Sequence, residues 1–164
     1  MKNSLFRIGI GQDSHRLEKA KKDEALYLAG MPFLCNLKSV AHSDGDVILH
    51  ALCNALSTAL GGPSFSVFAD QEYKKGLTDS KIYLQHFLEE MHKNNYQIAN
   101  LSISVEALQP KLEAYNLIMK KTLAKILNIE VKQIGLAFTS GEGLTSCGSG
   151  EGISAIVTVL LEHE

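Results

Sequence analysis

Asp46-Val-Ile-Leu-His50-Ala-Leu-Cys-Asn-Ala-Leu-Ser-Thr-Ala-Leu60 is the stretch on which the reading of this chain turns. Val47, Ala51, Leu52, Ala55, Leu56 and Ala59 recur three and four residues apart, the period of one helical face. Ser43 and Asp44 precede it as capping candidates and Gly61-Gly62-Pro63 closes it, so the pattern predicts a buried helix over residues 46–60. Upstream, Phe6, Ile8 and Ile10 alternate as a half-buried strand does. Residues 25–29 predict a second strand before the turn-like Gly30-Met31-Pro32, with a solvated charged loop over 19–24 between the two. Downstream, Asp79 and Ser80 open a helix to about Lys93, carrying Ile82, Leu84, Phe87, Leu88 and Met91 and stopped by Asn94-Asn95. Leu101, Ile103 and Val105 alternate as a strand. Pro110 fits the first position of a third helix through Leu127, with Lys120, Lys121 and Lys125 in its later turns. Two strands, at about 134–138 and 153–161, flank a segment over 140–152 whose five glycines let the backbone approach a ligand closely. Residues 61–78 carry no assigned element. One α+β domain over 1–164, a mixed β-sheet with helices packed on one face, is the economical architecture.

Composition narrows the function. The chain has 164 residues, 45% hydrophobic and 21% charged, enough to bury its own core. Its 16 basic residues are scattered among 18 acidic ones for a net charge of −2, which excludes the electrostatic footprint of a nucleic-acid binder. The longest apolar run, 153–161, contains Ser154 and Thr158 and falls far short of the ~20 residues that cross a bilayer. The start, Met1 to Ile10, lacks the pattern of a secretory signal, so a cytoplasmic protein is expected. Cys35, Cys53 and Cys147 are odd in number and without Cys-x-x-Cys spacing, which argues for reduced thiols and against a thiolate zinc site. Cys53, inside the helical pattern, reads as a small core residue.

Chemistry has few candidate places. Asp13 and His15 stand two apart after the first alternating strand, so a continued extended backbone projects both to one side. His50, one turn beyond Asp46, offers a third ligand, and an Asp/His/His set with an open fourth position is the pattern of a catalytic zinc. The plainer alternative is a hydrogen-bonded Asp-x-His loop. His42 and Ser43 lie where a helix N-terminus favours an anion such as phosphate, or where Ser43 simply caps. Asp46 is either an acceptor that orients His50 or His15, or an ordinary first-turn carboxylate. Glu142 and Glu151, set between glycines, could take a hard cation or be solvated. His86, His92 and His163 carry no expected chemistry.

Three segments carry a resemblance. Gly11-Gln12-Asp13-Ser14-His15-Arg16, the run from Ala41 through His-Ser-Asp-Gly-Asp-Val-Ile-Leu to His50, and Gly150-Glu-Gly-Ile153 resemble, in order and spacing, the signature segments of the 2-C-methyl-D-erythritol 2,4-cyclodiphosphate synthase family. The resemblance implies a homotrimer with active sites between neighbouring subunits, each holding zinc and a second divalent cation, Mg²⁺ or Mn²⁺. It implies conversion of 4-diphosphocytidyl-2-C-methyl-D-erythritol 2-phosphate to the cyclic diphosphate and CMP, in the non-mevalonate route to isoprenoid precursors. Zinc ligands map onto Asp13, His15 and His50. His42 and Ser43 map onto the methylerythritol phosphate contact, with Asp46 the neighbouring carboxylate of the motif, counted among the substrate-binding residues, and Ala107, Pro110, Lys111 and Leu112 map onto the cytidine pocket. Thr139 and Glu142 map onto contacts with the diphosphate and second cation, with Ser140 beside them. Catalytic weight therefore falls on Asp13, His15, His42, His50, Thr139 and Glu142. The chain departs from the family in three places: Gly62-Pro63-Ser64 stands for Asp-Ile-Gly, Thr139-Ser140-Gly141-Glu142 for Thr-Thr-Thr-Glu, and Ser149 for an arginine. Two rival readings are a zinc-dependent phosphohydrolase and a non-catalytic trimeric nucleotide-binding protein.

Overall fold

The computed structural model describes residues 5–33 and 35–164; residues 1–4, on which the reading of the chain start partly rests, lie outside it. A five-stranded mixed sheet runs in the order β4-β1-β7-β5-β6, from β1 (Phe6–Lys19), β4 (Leu37–Ser39), β5 (Tyr96–Glu106), β6 (Ile134–Thr139) and β7 (Gly152–His163). Among the described residues only β5 and β6 pair in parallel; the other pairs are antiparallel. A two-stranded hairpin, β2 (Leu26–Leu28) with β3 (Met31–Phe33), stands apart from the sheet. Helices α1 (Val47–Ala59), α2 (Phe65–Lys74), α3 (Ser80–Lys93) and α4 (Asn116–Leu127) complete the domain.

The core lies between one face of the sheet and the helices. Ile153, Ala155, Val157, Val159 and Leu161 of β7 all point into it, as their alternation requires, together with Leu101, Ile103 and Val105 of β5. Helix α1 packs across β1 and β7, and two glycines let it come unusually close. A Cβ on Gly9 would stand 1.9 Å from the carbonyl oxygen of Ala55, and one on Gly11 2.0 Å from that of Ala51. Side-chain-free strand therefore meets the alanine face of α1 backbone to backbone. The opposite sheet face leaves Ile8, Ile10 and Ile156 exposed.

Several expectations are corrected. Strand β1 runs to Lys19, well beyond Ile10, because β7 pairs with it from Phe6 to Arg16 and β4 from Leu17 to Lys19. Asp13 and His15 thus sit inside the strand, not after it. The β2–β3 turn is centred on Ala29 and Gly30, both at positive φ (56° and 79°), while Met31 and Pro32 already belong to β3. Helix α1 is capped by neither Ser43 nor Asp44 but by Asp46, whose carboxylate accepts from the Ile48 and Leu49 N–H groups. Pro110 follows a cis peptide bond in a loop; the helix expected there starts only at Asn116, after Leu112 has anchored that loop in the core. Helix α2 and strand β4 were not anticipated. The helix over 80–93 and the all-free cysteines agree with expectation.

Candidate metal centre and substrate pockets

Three side chains from two elements converge. The pleat of β1 puts Asp13 and His15 on its core-facing side, and the close approach of α1 brings His50, on the first turns of that helix, over them. His50 Nδ1 lies 2.9 Å from Asp13 Oδ2 and 3.1 Å from His15 Nε2, and His15 Nε2 lies 3.0 Å from the same carboxylate oxygen. Burial disfavours the Asp13 charge, but hydrogen bonds from His15 and His50 and their charge outweigh it and hold its carboxyl well below the usual carboxylate range.

Such a set could hold a metal ion. Bonds of about 2.0–2.2 Å to one tetrahedral ion place neighbouring ligand atoms only about 3.3 Å apart, and here all three atoms fall within 4.8 Å of one another. The donor set, two imidazoles and one carboxylate, is the kind zinc takes when a coordination position stays open.

His50 is held from behind. Its Nε2 lies 2.8 Å from Ser80 Oγ and 3.2 Å from Ser43 Oγ. Ser80, at the start of α3, is wholly buried; its hydroxyl donates to Asp44 Oδ1 and its backbone N–H to Asp44 Oδ2. Of the two readings of Asp46, an acceptor that orients a histidine or an ordinary first-turn carboxylate, the second is the one observed. Asp46 has no exposed surface and its carboxylate accepts from the N–H groups of Ala29, Gly30, Ile48 and Leu49, with no hydrogen bond to either imidazole. Nor can it touch a substrate from there, as the family pattern implied. Burial pushes its carboxyl up to about 6, against the pull of the Gly30 and Leu49 N–H groups. Because Asp46 occupies the first free N–H groups of α1, that helix end is also not the bare anion site expected beside His42 and Ser43.

His42 and Ser43 instead line a pocket of about 340 Å³ with Asp13, His15 and His50. Helix α2 forms its far wall: Phe65 packs 4.8 Å from the His50 ring, and Tyr73 stacks on His42 at 4.9 Å. Asn54 of α1 ties that wall to the strand, accepting from the Phe65 N–H at 2.9 Å and donating to the Gln12 carbonyl at 3.3 Å. Sequence reasoning missed Asp44, Ser80, Phe65, Tyr73 and Asn54 as parts of the site. A lone Asn in an apolar helix was the one available signal.

A second pocket of about 170 Å³ gathers Ala107, Pro110, Lys111, Leu112, Thr139 and Ser140 at the ends of β5 and β6. It shares no lining residue with the first. The register links Asp13 through Ala155 and Val105 to Phe138 in one row, so the sites stand three strand spacings, about 14 Å, apart. Glu142 lies just beyond, exposed, at a bend with φ 46°, and lines neither pocket. Glu151 is paired with Arg16 at 3.5 Å.

The sequence pattern of residues 6–162 matches the YgbB family. The chain belongs to that family. A 2-C-methyl-D-erythritol 2,4-cyclodiphosphate synthase of Chlamydia trachomatis serovar A is 38% identical over 161 residues, covering 97% of this chain and 90% of its own length. Among solved structures, an IspF of Plasmodium falciparum in complex with CDP superposes with a TM-score of 0.86 at 28% identity, covering 99% of both chains. The bifunctional IspDF of Campylobacter jejuni gives a TM-score of 0.87 at 28% identity over 97% of this chain and 42% of its own. This YgbB-family member therefore shares the fold of the Plasmodium falciparum IspF over nearly the whole of both chains. No described helix is long and apolar enough to cross a membrane.

Proposed function

We propose that this chain converts 4-diphosphocytidyl-2-C-methyl-D-erythritol 2-phosphate to 2-C-methyl-D-erythritol 2,4-cyclodiphosphate and CMP, as a phosphorus–oxygen lyase of the non-mevalonate isoprenoid route. The observation that carries the reading is the convergence of Asp13, His15 and His50, on a chain whose curated relatives are synthases of that name. The enzyme works as a cytoplasmic homotrimer; three free cysteines suit a reducing compartment.

The reaction is intramolecular. The substrate's own 2-phosphate oxygen attacks the β-phosphorus, the bond from that phosphorus to the CMP oxygen breaks, and CMP leaves with the electron pair. No protein nucleophile is required; positioning two mutually repelling anions in line, and neutralising charge as it develops, is the whole task. Asp13, His15 and His50 would hold a zinc ion, which would supply Lewis acidity toward a phosphate oxygen, and Glu142 would help hold a second divalent cation, Mg²⁺ or Mn²⁺. His42, its ring set by Tyr73, and Ser43 hold the methylerythritol phosphate. Ser43 Oγ accepts from the Gly45 N–H, which leaves its proton free to donate into the pocket. Lys111 and the hydroxyls of Thr139 and Ser140 hold the diphosphate beside a cytidine seated against Ala107, Pro110 and Leu112. The two separate pockets fit one active site assembled from neighbouring subunits, and the exposed Ile8, Ile10 and Ile156 fit an interface that would cover them.

Purified protein supplied with Zn²⁺ and Mg²⁺ is expected to release CMP and the cyclic diphosphate with no solvent ¹⁸O in either product. Replacing His50 by Ala should remove turnover by more than the ~100-fold typical of losing an outer-shell partner. Incorporation of ¹⁸O would instead identify a phosphohydrolase, and tight substrate binding without turnover a nucleotide-binding module.

A further inference from the structure

We propose that Ser80, backed by Asp44, is a positioning residue that decides which ring nitrogen of His50 faces the metal. The inference rests on the metal reading above and goes on to a residue lying far from the ligand motifs in sequence. Ser80 has no exposed surface, so its hydroxyl has no water to exchange partners with. Asp44 takes both of its donors, hydroxyl and backbone N–H, and also accepts from the Asp46 N–H at 3.2 Å. An ionised carboxylate only accepts, and a serine hydroxyl has a single proton. Once that proton goes to Asp44, the Ser80 oxygen can offer His50 Nε2 only a lone pair, across 2.8 Å.

Two lone pairs at that distance repel, and the same holds for Nδ1 against Asp13 Oδ2, so the imidazole proton settles on Nε2 when a metal ion takes up the Nδ1 lone pair. Ser43 Oγ, at 3.2 Å from the same nitrogen, is a second acceptor for it. The proton on Nε2 leaves Nδ1 unprotonated, and Nδ1 is the nitrogen that stands 2.9 Å from Asp13 Oδ2 and 3.1 Å from His15 Nε2. The chain Asp44–Ser80–His50 therefore presents a ready lone pair to the ion and raises ligand basicity through a hydroxyl relay. It also joins the start of α3 to α1, because the Asp44 N–H donates to the Thr78 carbonyl at 2.9 Å.

Two readouts besides turnover test it in the full-length chain. Competition with a chromogenic chelator should show zinc Kd weakened about 10- to 100-fold in Ser80→Ala, with Ser80→Thr, which keeps the hydroxyl, restoring the affinity. Helix α3 keeps its own cap in both variants, since Asp79 accepts from the Lys81 N–H. Long-range ¹H–¹⁵N spectra of zinc-loaded wild type should show the His50 proton on Nε2, a measurement that stands even if Ser80→Ala fails to fold. A proton on Nδ1, or a folded Ser80→Ala with wild-type zinc Kd, overturns the proposal while leaving the metal site intact. A wild type that takes up no zinc overturns the metal reading and this one with it.

Discussion

The two halves of the contact between β1 and α1 are built on opposite principles. Toward the start of the strand, Gly9 and Gly11 contribute no side chain, and the carbonyl oxygens of Ala55 and Ala51 occupy the space a Cβ would need. Four residues further along, the same strand face carries Asp13 and His15, and helix and strand meet through three polar side chains whose ligand atoms lie within 4.8 Å of one another. Apolar close packing is rigid and tolerates little change in volume. A cluster of lone pairs is unfavourable by itself. The first half thus supplies the fixed frame that the second half needs, and the ligand distances depend on glycines that touch no ligand.

The sharpest way to break this relation is Gly11→Ala. Its new Cβ meets backbone, which cannot swing aside, so a loss of about 3 kcal/mol or more in denaturant unfolding is expected, together with weakened zinc uptake as His50 is pushed off the strand. A variant that kept wild-type stability and zinc affinity would show that the two halves are independent. A smaller effect is expected from Asp46→Asn, which loosens the tie between the helix start and the β2–β3 turn. Asn Oδ1 can still serve the three N–H groups that Asp46 Oδ1 serves, but its NH₂ would face the Gly30 N–H, now 2.6 Å from Oδ2. One buried donor left unpaired costs about 2 kcal/mol, read as a lower midpoint at unchanged m-value.

The smallest expected effect concerns pH in metal-free protein. The Asp13 carboxyl is depressed on folding from 3.8, so it stabilises the fold above that pH, and the stabilisation is lost as pH falls below it. Chelator-treated wild type should therefore lose stability on acidification below about 3.8 more steeply than Asp13→Asn does. Parallel profiles would mean that the cluster contributes nothing without its ion.

How much of this was legible in the sequence follows from the range of the interactions. Helices α1 and α3 and the inner faces of β5 and β7 announce themselves by apolar period, a local property. The second half of β1 does not, because Gln12 to Lys19 carries hardly any apolar side chain and is extended only through its partners β7 and β4. Helix α2 is short and opens without a side-chain cap, its first N–H satisfied by Asn54 from another helix. The three candidate ligands could be named from motif spacing, and the fold brings them together. Which carboxylate stands behind them could not, since Asp44 and Asp46 look alike in sequence. Asp44 reaches Ser80, 36 residues away, and Asp46 reaches the β2–β3 turn. The separation of the metal cluster from the Lys111 pocket likewise emerges only from the strand order.

That second contact ties together two pieces of chain that would otherwise move separately. The hairpin turn at Ala29 and Gly30 and the first turn of α1 hang their amides on a single buried carboxylate. Opening the hairpin strips Asp46 of half its donors while leaving it enclosed, so the cheaper excursion is for hairpin and helix start to come away as one cooperative unit. A detached two-stranded ribbon outside the main sheet, the sort of appendage that usually frays first, is in this molecule clamped as firmly as the helix that carries His50.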